Sequence, residues 1–175
     1  MAPKPAPEID LIKPFPPEAY PRVWSWLQDF KDRVLDDFSP PDLPSFVGFC
    51  IELAKTAVTW GVLRNGELIG LLTFEPVNGV TGIAHAIFRK DAWGRQTTVA
   101  AITQAAEQIF ASGIRKVEFP IFADNHAVEA MLLKLGAVRE GLLREHSMRG
   151  GKPIDMIVLG VTRADFDLWK KAGNA

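Results

Sequence analysis

The stretch TAVTWGVLRNGELIGLLTFE, residues 56–75, restricts the fold more than any other part of the chain. Two apolar runs rich in strand-forming residues flank Asn65-Gly66, a dipeptide that supplies the two positive φ angles of a type I′ turn. An antiparallel hairpin follows from that pattern. A second turn, PVNG, and a third run, VTGIAHAIFR (residues 80–89), extend it to a three-stranded meander.

The flanking segments have a helical period. Val23, Trp24, Leu27, Phe30, Val34, Leu35 and Phe38 lie near helical spacing, with Pro21 tolerable in a first turn, so residues 21–38 predict one helix. SPPDLP ends it, and Asp42 or Ser45 caps a second helix over SFVGFCIELAK. IDLIK before them reads as a short strand. Downstream, Ile102, Ala105, Ala106, Ile109 and Phe110 form the stripe of a further helix that Gly113 stops. IRKVEFPIF is a strand in which Pro120 marks an end or an irregularity. DNHAVEAMLLKLG is a helix capped by Asp124 or Asn125, with His126 at its start, and two last strands surround the turn RGGK.

The order is β-α-α-β-β-β-α-β-α-β-β, an α+β fold with a mixed, mostly antiparallel central sheet flanked by helices. One domain over residues 8–163 is expected, after a flexible proline-rich segment 1–7. A C-terminal tail, 164–175, is expected to add a helical turn that packs Phe166 and Trp169.

Composition narrows the function. A net charge of −1 gives no general attraction to nucleic acid or to an anionic membrane, so neither is an expected partner and any anion site must be local. The opening residues lack the apolar core of a signal peptide, and no apolar run reaches membrane-spanning length. The single Cys50 lies in an apolar stretch and suits a reducing, cytoplasmic setting. His85, His126 and His146 are scattered, without metal-ligand spacing, so no metal is expected. The local anion site has a candidate in RKDAWGRQTTVAA, residues 89–101, where a strand gives way to a helix. Free N–H groups at a helix start bind phosphate without charged side chains. Arg89, Lys90 and Arg95 add cations against Asp91, and Thr97 and Thr98 add hydroxyls that cap the helix or meet a phosphate oxygen.

With that turn at its centre, the chain resembles the GNAT superfamily of acetyl-CoA-dependent N-acetyltransferases, nearest the branch acting on ribosomal proteins and polyamines. DAWGRQTT stands where the family has its pyrophosphate loop. NHAVEAMLLKLGAVREGLLR places Asn125, Lys134, Gly136, Glu140, Gly141 and Arg144 in register, and GGKPIDMIVLGV adds Asp155. The resemblance implies acetyl-CoA as acetyl donor, with Gly94, Arg95, Gln96, Thr97 and Thr98 at its pyrophosphate. It also implies a fourth strand that splays from its parallel neighbour, Ile87, Phe88 and Arg89 offering main-chain groups to the pantetheine arm and Asn125 helping to hold it. The acceptor is an amine of a small molecule or a protein. Its proton is expected to pass to His85 or Glu75, because an ammonium is not a nucleophile. His146 and Ser147 fall where relatives face the acceptor, and Ser147 or water is expected to assist the leaving thiolate.

Four departures accompany the match. Asp91 replaces a basic or amide residue, Gln96 a glycine, Ala137 a phenylalanine, and Leu132 the tyrosine that protonates the thiolate in many relatives. They support an alternative reading: a catalytically degenerate GNAT-like binding or structural protein, with or without CoA, of the kind bacteriophages also encode. A homodimer and a protein-assembly partner stay open under both readings.

Overall fold

The computed structural model describes residues 8–174, with the side chains of Arg95, Gln96 and Asn174 left outside the description. Segment 1–7, expected as a flexible leader, lies outside the described residues. Seven strands form one sheet: β1 (Ile9–Ile12), β2 (Val58–Arg64), β3 (Glu67–Pro76), β4 (Thr81–Phe88), β5 (Lys116–Phe122), β6 (Val138–Arg149) and β7 (Lys152–Thr162). Their spatial order is β1-β2-β3-β4-β5-β7-β6. All neighbours are antiparallel except β4 and β5. The β2–β3 turn has φ of 51° at Asn65 and 79° at Gly66, the pair of positive angles that Asn-Gly was expected to supply.

Helices cover both faces. α1 (Tyr20–Gln28) and α3 (Leu43–Leu53) close a cluster in which Val23, Leu27, Phe46 and Cys50 meet Leu68 and Leu71 of β3. Burial there pushes the Cys50 thiol up to about 12, so it stays protonated and acts as a small apolar side chain. On the opposite face α4 (Ala100–Ala111), α5 (His126–Lys134) and α6 (Arg163–Trp169) bury Ala105, Ile109, Leu132, Phe166 and Trp169 against Trp60, Phe74, Val117 and Leu159. α3 is capped by the Asp42 carboxylate, which accepts from Ser45 N–H at 2.9 Å. No helix among the described residues is long and apolar enough to cross a membrane.

The single helix expected over 21–38 is corrected. α1 stops at Gln28, Phe30 breaks the helix at φ −146° and ψ 20°, and α2 (Lys31–Val34) is one turn long. Phe38, expected on the buried stripe, is 76% exposed. The reason lies far along the chain, because residues 33–39 are fastened to the β6–β7 turn. Asp37 accepts from the N–H groups of Gly150 and Gly151, both at 2.8 Å, and its own N–H donates to Met148 C=O. Arg149 donates to the carbonyls of Leu35 and Arg33, pairs with Asp124 at 2.7 Å and lies 4.4 Å over the Phe122 ring. Continuing the helix would forfeit these bonds.

The C-terminal segment is an integral part of one core face, because α6 begins in a capping box between Thr162 and Asp165 and buries Phe166 and Trp169. Thr162→Ala removes the hydroxyl that accepts from Asp165 N–H and is expected to cost about 1 kcal/mol, read as a lower urea midpoint with unchanged slope.

Candidate active site

The β4–β5 ladder is short. It runs from Thr81↔Lys116 to Ile83↔Glu118 and then ends, although β4 stays paired to β3 as far as Phe88 and β5 to β7 as far as Phe122. Two strands that start hydrogen-bonded thus separate into a gap. Register decides which groups line it. Arg89 N–H donates to Ile69 C=O and Thr81 C=O accepts from Val77 N–H, so the odd residues of β4 turn their main-chain groups toward β3. Ala86 and Phe88 consequently turn theirs toward the gap. Of the three positions expected to meet a pantetheine arm, Phe88 faces the gap, whereas Ile87 and Arg89 have their main chain directed at β3.

The β5 flank has the same alternation. Ala123 N–H donates to Asp155 C=O and Arg163 N–H to Arg115 C=O, so odd residues face β7 and even residues face β4. Pro120 is therefore on the gap side. A proline inside a strand removes a ladder donor, and here the missing N–H is one that no neighbouring strand needs. Its irregularity, read from sequence, marks the place where β4 has already departed.

Past β4 the chain turns at Gly94, whose φ is 150°, into a wide π-type turn, Arg95–Val99, that runs into α4. A side chain at Gly94 would meet nothing within 4 Å, but the backbone angle itself excludes most residues. The result is open space beside Gly94, ahead of a helical segment whose first N–H groups have no acceptor within it. Thr98 N–H donates to Gly94 C=O and its hydroxyl to Ala92 C=O at 3.3 Å. Thr97 and Thr98 are both buried, and neither side chain caps the helix. The Arg95 and Gln96 side chains, expected at the same site, lie outside the described residues.

Asp91 is not loose beside this turn. Its carboxylate receives Arg64 at 2.6 Å and Arg89 at 2.5 Å, and Arg89 also binds Glu67 at 2.5 Å. The Arg89 and Arg64 hydrogen bonds hold the Asp91 carboxyl far below the usual range, and Glu67 and Asp91 raise Arg89 above its own. Two cations and two anions cancel. Arg89 neutralises Asp91 and is not aimed at an incoming anion.

His85, Glu75 and Thr73 come together on the sheet face that carries α1 and α3. Thr73 stands directly opposite His85, and Glu75 opposite Ile83 one pair further on. The His85 ring is exposed, yet desolvation holds its pKa below the ordinary histidine value, with the Glu75 charge opposing that shift. Thr73 Oγ1 is buried without a hydrogen-bond partner.

Ser147 is corrected: it is 5% exposed and its hydroxyl donates to Asp36 at 2.5 Å, fastening the segment after α2 instead of facing an acceptor. His146 is exposed on an irregular part of β6. Asn125 precedes α5, but its side chain makes no capping bond, and Asp124 pairs with Arg149. Asn125 is thus the N-cap residue, one of the two expected, but it caps without a side-chain bond. Sequence reasoning missed Asp36, Asp37 and Trp93, whose partners are set by the fold. Trp93 Nε1–H donates to Phe88 C=O at 3.1 Å.

Gly94→Ala is expected to lower stability by about 1–2 kcal/mol through its backbone angle alone, with no steric contribution, as read from a shifted denaturation midpoint.

Comparison with known proteins agrees with this geometry. A family model described as an acetyltransferase (GNAT) domain matches residues 11–138. The uncharacterized N-acetyltransferase YoaA of Bacillus subtilis (strain 168) is 27% identical over 115 residues, covering 62% of this chain and 64% of that relative. The match thus spans less than two thirds of the relative's length. Mycobacterium smegmatis RimJ in complex with CoA-disulfide superposes with a TM-score of 0.78 at 16% identity, covering 97% of this chain and 91% of the other. Mutant forms of the Vibrio cholerae spermidine/spermine N-acetyltransferase SpeG give 0.75 at 13% identity, covering 93% and 98%. At these identities the solved structures speak for the fold, and the family match over most of its length makes this chain a member of the GNAT acetyltransferase family.

Proposed function

We propose that the protein is an acetyl-CoA-dependent N-acetyltransferase acting by direct transfer on an amine of a small molecule or a protein. The observation that carries this reading is the continuity of the β4–β5 gap with the open turn at Gly94. An extended arm with amide groups fits the main chain of Ala86 and Phe88, which no strand pairs on the gap side, and a pyrophosphate fits the free N–H groups after Gly94. Acetyl-CoA bound there would supply a thioester carbon open to attack by an amine nitrogen.

The chain's own residues divide the remaining work. His85, neutral at pH 7 because desolvation lowers its pKa, is the group that takes the amine's proton, and Glu75 biases it. Asn125, whose side chain makes no capping bond, is the residue this reading assigns to hold the arm. No phenol is at hand for the leaving sulfur. Leu132 is 3% exposed in the core, and Tyr20, the one tyrosine, is 2% exposed at the start of α1 with burial raising its pKa. Water is then the proton source for the thiolate.

The same absence, together with the engagement of Ser147 by Asp36, supports the second reading, in which CoA is bound without turnover. A cytoplasmic setting fits the buried thiol of Cys50. The spermidine and spermine of the SpeG neighbour make polyamines the first acceptors to screen.

Titration calorimetry of acetyl-CoA into the wild type and Gly94→Arg tests the binding step. Micromolar affinity lost by at least about ten-fold in the variant is expected, since an added side chain fills the space a phosphate would take. No heat with either protein at millimolar ligand rules out both the enzyme and the CoA-binding readings. If turnover follows, kcat/KM should fall as pH drops through a midpoint below 6.5, because protonated His85 accepts no further proton. Glu75→Gln removes the charge that raises the His85 pKa, so that midpoint should move to still lower pH, a shift visible in the pH–rate profile.

A further inference from the structure

Trp93 lies immediately before the Gly94 turn and is 51% exposed. Its indole N–H reaches back to Phe88 C=O at 3.1 Å, while its ring meets Phe30 edge-on at 5.1 Å and 61°. Phe88 is the last residue of β4 and belongs to the set whose main chain faces the gap. The carbonyl held by Trp93 is therefore one that an amide-bearing arm laid along β4 would bond. One neutral hydrogen bond and one edge contact hold the indole at a solvent-facing position, so displacing it is inexpensive.

We infer that Trp93 is a specificity-determining residue of the cofactor groove: its indole N–H competes with the amide N–H groups of the incoming arm for Phe88 C=O, and binding displaces it. The inference rests on the acetyl-CoA reading above. It reverses the usual expectation for an aromatic residue at a binding site, because deleting the N–H should strengthen binding.

The test titrates acetyl-CoA into the wild type and Trp93→Phe, with thermal melts to establish that the variant is folded. Phenylalanine keeps a ring against Phe30 and removes the donor. Kd is expected to fall about five-fold in the variant, the equivalent of one neutral hydrogen bond. In 1H–15N spectra the Trp93 indole N–H peak, identified among the five tryptophans by its loss in the variant, is expected to move on saturation. Equal or weaker binding by a folded Trp93→Phe protein, or an indole peak that stays in place while ligand binds, overturns the inference and leaves the acetyl-CoA reading standing. Absence of binding by both proteins overturns the two together.

Discussion

Main-chain donors and acceptors that lose their strand partner are costly unless water or another group satisfies them, and the separation of β4 from β5 creates such groups in the middle of the sheet. The separation persists because each strand is held on its other side. β4 keeps its pairs with β3 to Phe88, and β5 keeps its pairs with β7 to Phe122. Pro120 works in the same direction, since on the gap side it has no N–H with which to rebuild the ladder. The helices pack on two faces of this split sheet; His85 lies on β4, the turn at Gly94 follows β4, and Asn125 follows β5.

The acidic residue ahead of the Gly94 turn is neutralised within the protein itself. Arg64 and Glu67 from the β2–β3 hairpin join Arg89 and Asp91 in one cluster, so the charge that Asp91 introduces is cancelled locally. Arg64 and Arg89 are thereby committed to carboxylates, and the helix start beyond Gly94 offers N–H groups that act over short range and a dipole that salt screens within a turn or so.

Local signals carried the fold well. Asn65-Gly66 requires two positive φ angles, and both are present; the stripe from Ile102 to Phe110 has one buried face, and it packs on the sheet. The misreading fell on residues 29–39, where the apolar spacing continues but the helix does not. Nothing within that segment announces that Asp36 answers to Ser147 and Asp37 to Gly150 and Gly151, because those partners are 111 to 114 residues away. The candidate site divides the same way. Gly94 and His85 were legible from residue type and position in a run. The pinning of Asp91 by Arg64, the role of Trp93 and the gap-facing parity of Phe88 depend on strand register, which one sequence does not display.

The clasp between residues 33–39 and the β6–β7 turn has a consequence for how the molecule comes into being. The segment after α1 leaves the ribosome early, whereas the glycines and arginine that secure it are made more than a hundred residues later. Until that last hairpin emerges, the segment lacks the partners that fix its conformation. A nascent chain lacking β6 and β7 also lacks the β7 flank of β5, so the β5 edge of the gap is completed in the same late step, whereas the β4 edge is already paired to β3.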